Sequence, residues 1–275
     1  MFETILLPTD GSETASTAGK AAFALAEQFD ANLFALHVLD RQDRSYGEEV
    51  VNAVDDAAAE LDIPTTTAIR EKEGTIHETI LQYASEQSID CIVMGTHGEK
   101  NVHRFVLGSV ATRTLREAPM PVMTVHTETE ISSEVESVLV PTDGSESAIA
   151  AANTALEFIS ETDSALHTVH VVSPNELDDE RTIYDAFEKA GQKDVQDIID
   201  LGSDAGVEHL EASVLSGVPH QAINDYVETN DIDYVFMGTH GRTGVSRYLL
   251  GSVTERVVRL VDVPIVSVKA NVPRD

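Results

Sequence analysis

The chain contains one cysteine, Cys91, in 275 residues. No intramolecular disulfide can form, so the sequence predicts a reducing, cytoplasmic setting and a thiol that serves as a small core residue. No apolar run reaches the ~18 residues needed to span a membrane. Met1-Phe2-Glu3 leads straight into a strand without a basic leader, which predicts neither a membrane segment nor a signal peptide. Basic residues are scarce: 18 Lys and Arg, only six of them Lys, stand against 48 acids for a net charge of −30. Such a surface repels duplexes, and no basic stripe is interleaved with aromatics, so nucleic acid is excluded as a partner. A G-x4-G-K-[ST] phosphate loop is missing as well, which excludes that class of ATPase.

The acidity is evenly spread, with 22 acids and 9 bases in residues 1–130 and 26 acids and 9 bases in residues 131–275. An acidic tail would be lopsided. Even acidity predicts a halophilic protein of a salt-saturated cytoplasm, where screening is nearly complete and self-repulsion is weak. The few cations are clustered. Lys100, Arg104, Arg113, Arg116, Arg242, Arg247, Arg256 and Arg259 place 8 of the 18 in two short segments. The four arginines at 113, 116, 256 and 259 fall late in helices, where cations offset the helix dipole in any case. The other four sit in glycine-rich loops and point to a bound anion.

Those loops form a repeat. Met94 to Val110 reads MGTHGEKNVHRFVLGSV, and Met237 to Val253 reads MGTHGRTGVSRYLLGSV. Gly95, Gly98, Gly108 and Ser109 match Gly238, Gly241, Gly251 and Ser252. Each copy follows an apolar run that predicts a buried strand, Asp90 to Met94 or Asp233 to Met237, and ends in an amphipathic run that predicts a helix. Glycine lets backbone N–H groups approach an anion, and a helix N-terminus adds unpaired donors and partial positive charge.

The repeat extends over the chain. Glu3 to Pro8 predicts a strand that runs into Thr9-Asp10-Gly11, with Ser12 as N-cap of a helix over Ala15 to Phe29. A second strand, Ala31 to Val38, precedes a polar loop, Asp40 to Gly47, and a helix over Glu48 to Leu61. Thr65 to Ile69, a helix from Gly74, the glycine loop and Val122 to Val125 complete the first half. After an acidic linker the cycle restarts: within Val138 to Gly144, Leu139 to Gly144 repeats Leu6 to Gly11 at an offset of 133, whereas the offset from Gly217 onward is 143. The ten extra residues are assigned to a longer helix over Arg181 to Ala205. Continuous apolar strands alternating with helices predict two tandem α/β domains, each a doubly wound, Rossmann-like parallel sheet. The expected boundaries are residues 1–127 and 136–270 with a linker at 128–135.

Together, the long-spaced glycine motif, the strand-end Pro-Thr-Asp-Gly-Ser and His-Val at the end of strand two resemble the ATP-binding branch of the universal stress proteins, twice over. The resemblance implies a five-stranded parallel sheet of order 3-2-1-4-5 in each half, and one adenine nucleotide (ATP, ADP or AMP) per half. It assigns adenine contacts to Pro8, Val38, Pro141 and Val171. Thr9, Asp10, Thr142 and Asp143 fall near the ribose and phosphates, where Asp10 and Asp143 offer a place for nucleotide-borne Mg²⁺. The phosphate loop matches Gly95, Gly98, Gly108 and Ser109, and Gly238, Gly241, Gly251 and Ser252, with Arg242 the usual residue after the second glycine; Val110 and Val253 follow at positions where the family also contacts nucleotide. The resemblance also implies that the halves pair through their fifth strands, Val122 to Val125 and Ile265 to Val268, as an internal pseudo-dimer, with a further homodimer left open.

The histidines have plainer readings. His97 and His240 have no metal-set spacing, His37 and His170 fit a core, and His77 and His220 fit a first helical turn. No nucleophile has a base beside it, so no catalytic residue is assigned. The expected role is a regulatory one in stress response; slow ATP hydrolysis and a nucleotide-free scaffold are the alternatives. Glu99 beside a triphosphate is unfavourable, with Lys100 as its offset, whereas the second copy has Arg242-Thr243-Gly244. The second site is therefore expected to be the tighter one.

Overall fold

The computed structural model describes residues 2–40, 44–98, 107–173, 181–242 and 250–270, with only the backbone over 181–187. The chain divides into two compact units, Met1–Ser133 and Glu134–Asp275. In the first, strands β1 (Thr4–Pro8), β2 (Asn32–Leu39), β3 (Thr65–Glu71), β4 (Cys91–Gly95) and β5 (Val122–Val125) alternate with helices α1 (Glu13–Phe29), α2 (Arg44–Ala59), α3 (Ile76–Glu86) and α4 (Ser109–Glu117). All pairings are parallel and the order is β3-β2-β1-β4-β5. The second unit repeats this with β6 (Ser137–Pro141), β7 (Ala165–Val172), β8 (Leu210–Ser216), β9 (Tyr234–Gly238) and β10 (Ile265–Val268), and with α5 (Glu146–Thr162), α6 (Arg181–Asp204), α7 (Pro219–Thr229) and α8 (Ser252–Leu260). Its order is β8-β7-β6-β9-β10. Both are doubly wound sheets of order 3-2-1-4-5.

The central strands are apolar because helices cover both faces. Ile5, Leu6 and Leu7 of β1 and Ile92 and Val93 of β4 have no exposed surface, as have Val138, Leu139 and Val140 of β6. Cys91 belongs to the same core; burial pushes its thiol up to about 12, so it stays protonated. Among the described residues no helix is long and apolar enough to cross a membrane. Ser12 caps α1 by accepting the Ala15 N–H at 3.2 Å, and Ser145 caps α5 in the same way from Ala148.

Two elements differ from the sequence reading. Helix α2 starts at Arg44 and not at Glu48, so Tyr46 and Gly47 are helical. Tertiary contacts explain this: the Tyr46 hydroxyl donates to the Asp10 carbonyl at 3.0 Å, and a Cβ on Gly47 would lie 3.0 Å from the His37 ring. The extra residues of the second half are also more dispersed. Gly191, packed on His170 as Gly47 is on His37, lies 144 residues after it, so eleven additions precede Gly191. The turn before β8 adds one more, since Thr65 and Leu210 hold the same register against the second strand, and the connection into α7 is two shorter.

An aspartate fixes the amino edge of each sheet. Asp90 Oδ2, just before β4, accepts the N–H groups of Glu3 and Thr4 at 3.1 and 3.0 Å and the Thr4 hydroxyl at 2.8 Å. Asp233 Oδ2 likewise accepts the Glu136 and Ser137 N–H groups at 2.8 and 3.0 Å. This anchors β4 beside β1 and β9 beside β6. Asp90→Ala and Asp233→Ala are each expected to destabilise their own unit by about 1–3 kcal/mol, since several donors lose one charged acceptor. Denaturant unfolding checks this; an unchanged midpoint would contradict the anchoring role.

Candidate functional site

At the opposite edge the same strand pairs separate. β1 and β2 stay in register over five residues, but β1 and β4 over only two, Ile5 with Cys91 and Leu6 with Ile92. Beyond Leu6 the strands diverge at the point where the strand order reverses, which is where open α/β sheets take ligands. A cleft of about 410 Å³ opens there, within the ~300–1,000 Å³ usual for small-molecule sites. Pro8, Thr9, Asp10, Val38, Gly95, Gly98, Gly108, Ser109 and Val110 all line it, so the nine residues singled out in the first half converge. Ile76 and Ile80 of α3 add an apolar wall that the sequence did not mark as part of a site.

Close backbone approach accounts for the glycines. A Cβ on Gly95 would lie 2.7 Å from the Thr14 methyl, at the start of α1. A Cβ on Gly98 would collide with the Asp10 carboxylate. The Gly108 N–H donates to the Thr96 carbonyl at 2.7 Å and closes the base of the loop. Gly108 then serves as N-cap of α4 without any side-chain cap bond, so the first-turn donors of α4, with Ser109 exposed among them, open into the cleft. Such a helix end is suited to an anion.

The strand-one turn is held from several sides. Asp10 Oδ1 accepts the Ser12 N–H at 3.1 Å. Its carbonyl accepts the Tyr46 hydroxyl, and His37 donates Nδ1–H to the Thr9 carbonyl at 2.8 Å. His37 is thus a core histidine that also fixes the floor of the cleft. His97 hydrogen bonds to Thr14 through Nε2 at 3.1 Å, and burial lowers its pKa below the ordinary imidazole value. His77, 5% exposed, hydrogen bonds to Thr75 in the first turn of α3 and faces Glu117. Among the described residues no group of three or more His, Cys, Asp or Glu is placed to hold a metal ion.

A model of the universal stress protein family matches residues 1–126 and again residues 134–269. The chain belongs to the universal stress protein family. A universal stress protein of Methanocaldococcus jannaschii is 32% identical over 142 residues, 46% of this chain and 82% of the relative. One from Thermus aquaticus is 35% identical over 139 residues, 46% of this chain and 99% of the relative. Among solved structures, a universal stress protein from Archaeoglobus fulgidus shares the fold across both units. Its TM-score is 0.71 at 22% identity, covering 98% of this chain and 100% of that one.

The second universal stress protein unit builds the same edge from Pro141 at the end of β6, Thr142 and Asp143 after it, Val171 in β7, Gly238 at the end of β9, and Gly251, Ser252 and Val253 at the start of α8. Asp143 Oδ1 accepts the Ser145 N–H, and its Oδ2 accepts the Arg242 N–H, both at 3.0 Å. The Gly251 N–H closes the loop onto Thr239 at 2.8 Å, and Gly251 again caps without a side-chain bond. Arg242 is arranged differently from expectation: its guanidinium pairs with Asp194 of α6 at 2.6 Å. His170 Nδ1 stands 3.2 Å from the other Asp194 oxygen. The loop residues Glu99, Lys100, Asn101, Arg104, Thr243, Gly244 and Arg247 lie outside the described residues.

The two leading glycines face different obstacles. A Cβ on Gly238 would lie 2.7 Å from the Ser147 carbonyl carbon and 2.9 Å from the Ala148 nitrogen, whereas the nearest obstacle at Gly95 is a side-chain methyl. Gly238→Ala is therefore expected to destabilise its unit more than Gly95→Ala does, with overpacking costs of about 1–3 kcal/mol. Thermal unfolding of the two variants checks the order; equal shifts would contradict it.

Proposed function

We propose that each half of this universal stress protein holds one adenine nucleotide at the carboxyl edge of its sheet and that occupancy serves a regulatory role in stress response. The carrying observation is the first-unit cleft, in which an uncapped helix N-terminus, three close-approach glycines and the apolar residues Pro8, Val38 and Ile76 face one space. The apolar end fits a base, and the helix end fits phosphates. Asp10 lines the same cleft, and Asp143 is its counterpart in the second unit; both are suited to ribose hydroxyls. Mg²⁺ would enter with the phosphates and take one protein ligand from Asp10 or Asp143. ATP is the nucleotide this reading favours for the first unit, where the uncapped helix end lines the cleft.

Titration of the full chain with ATP in molar KCl, carried to millimolar nucleotide, is expected to saturate near two per chain. A Cβ on Gly108 would lie 3.2 Å from the Thr96 carbonyl, and on Gly251 3.2 Å from that of Thr239, so a branched side chain closes either loop to ligand. Gly108→Val and Gly251→Val should each reduce the stoichiometry to one. No binding at any salt concentration would overturn the reading.

A further inference from the structure

We propose that Asp194 sets the charge preference of the second site and makes it select adenine nucleotides with few phosphates. This inference rests on the reading that the second unit holds an adenine nucleotide. Asp194 projects from α6 and is 3% exposed. One oxygen accepts from the Arg242 guanidinium at 2.6 Å, and the other faces His170 Nδ1 at 3.2 Å. The Arg242 backbone N–H is taken by Asp143 at 3.0 Å. Arg242 is thus held at both ends by carboxylates, although its side chain remains half exposed.

That arrangement decides what Arg242 can offer a ligand. Burying a carboxylate as deeply as Asp194 costs desolvation, which the Arg242 guanidinium offsets. If the guanidinium left for a phosphate, the carboxylate would retain only the imidazole of His170. The positive charge therefore stays on Asp194, and Arg242 is a positioning residue that pins the glycine loop to α6. Among the described side chains, the turn and helix beside the second site set the carboxylates Asp143 and Asp194 against the Arg242 guanidinium, so each added phosphate adds to a negative local field.

The first unit lacks this device. Gly47 and Gly191 pack on His37 and His170 and fix the correspondence of the two helices; three residues further on stand Val50 and Asp194. A Cβ on Gly11 would meet the Tyr46 hydroxyl at 2.7 Å and the Val50 methyl at 2.9 Å. A Cβ on Gly144, the matching glycine, would collide instead with Arg242 and Asp194. One substitution in the helix beside strand two thus separates a site with an apolar flank from one with a charged flank.

The test uses the full chain with Gly108→Val to silence the first site, and measures AMP and ATP binding by equilibrium dialysis at fixed salt. Asp194→Asn keeps the shape and removes the charge; Asp194→Val installs the first-unit residue. Both are expected to tighten ATP binding by about tenfold or more, as a charge-assisted phosphate contact becomes available, and to change AMP binding less than about threefold. An unchanged ratio of ATP to AMP affinity, or a parallel loss of both, would overturn the proposal and leave Asp194 as structural support alone. Thermal unfolding identifies a variant that fails to fold, in which case the isosteric Asp194→Asn decides. If the folded Gly108→Val chain binds neither nucleotide, the nucleotide reading of the second unit fails, and this inference falls with it.

Discussion

The carboxyl edge of each half depends on the approach of the strand-one carboxylate to the middle glycine of the second loop. Asp10 meets Gly98 and Asp143 meets Gly241 with no room for a Cβ between them. One oxygen of each aspartate is committed two residues onward, to the N–H of Ser12 or Ser145, so the carboxylate cannot swing aside. The glycine loop must therefore fold over the strand-one turn. At the other edge of the sheet, Asp90 and Asp233 hold the same strands together. Held together at the amino edge and paired over only two residues, β1 and β4 part toward the carboxyl edge, as do β6 and β9. The cleft is the space this leaves, and it follows from backbone geometry more than from any one side chain.

Features imposed by local chemistry were legible in the sequence. Alternating apolar runs and helices gave the tandem doubly wound sheets, and serines after Asp-Gly gave the caps of α1 and α5. The spacing of glycines brought Gly95, Gly98 and Gly108 to one edge because strand ends in a parallel sheet share that edge. Features imposed by tertiary contact were not legible. Arg44-Ser45-Tyr46-Gly47 reads as loop, since it combines polar residues with a glycine. It is helical because Tyr46 reaches Asp10 and Gly47 fits under His37. Asp194 was hidden for a different reason. It lies in a helix with Asp197 and Asp200, where one buried acid cannot be told from a solvated acidic face. Its match to Val50 emerges only once the two glycines have been placed on their histidines.

The two halves thus keep one backbone frame with different side-chain chemistry. Both strand-one turns place a glycine at positive φ, 79° at Gly11 and 71° at Gly144, and both lean on a helix that packs its own glycine against a strand-two histidine. In the first half the helix reaches the turn through a neutral hydroxyl, from Tyr46 to the Asp10 carbonyl. In the second it reaches the glycine loop through an ion pair with one member almost wholly buried. A neutral hydrogen bond is insensitive to salt, and a pair buried on one side is screened far less than the exposed charges that give this chain its net −30. Both tethers therefore hold at salt concentrations that screen the surface charge. They differ in what they leave at the mouth of the site, an apolar flank in one half and a carboxylate in the other. The tandem chain thus carries two copies of one backbone frame that differ in the charge beside the strand-one turn.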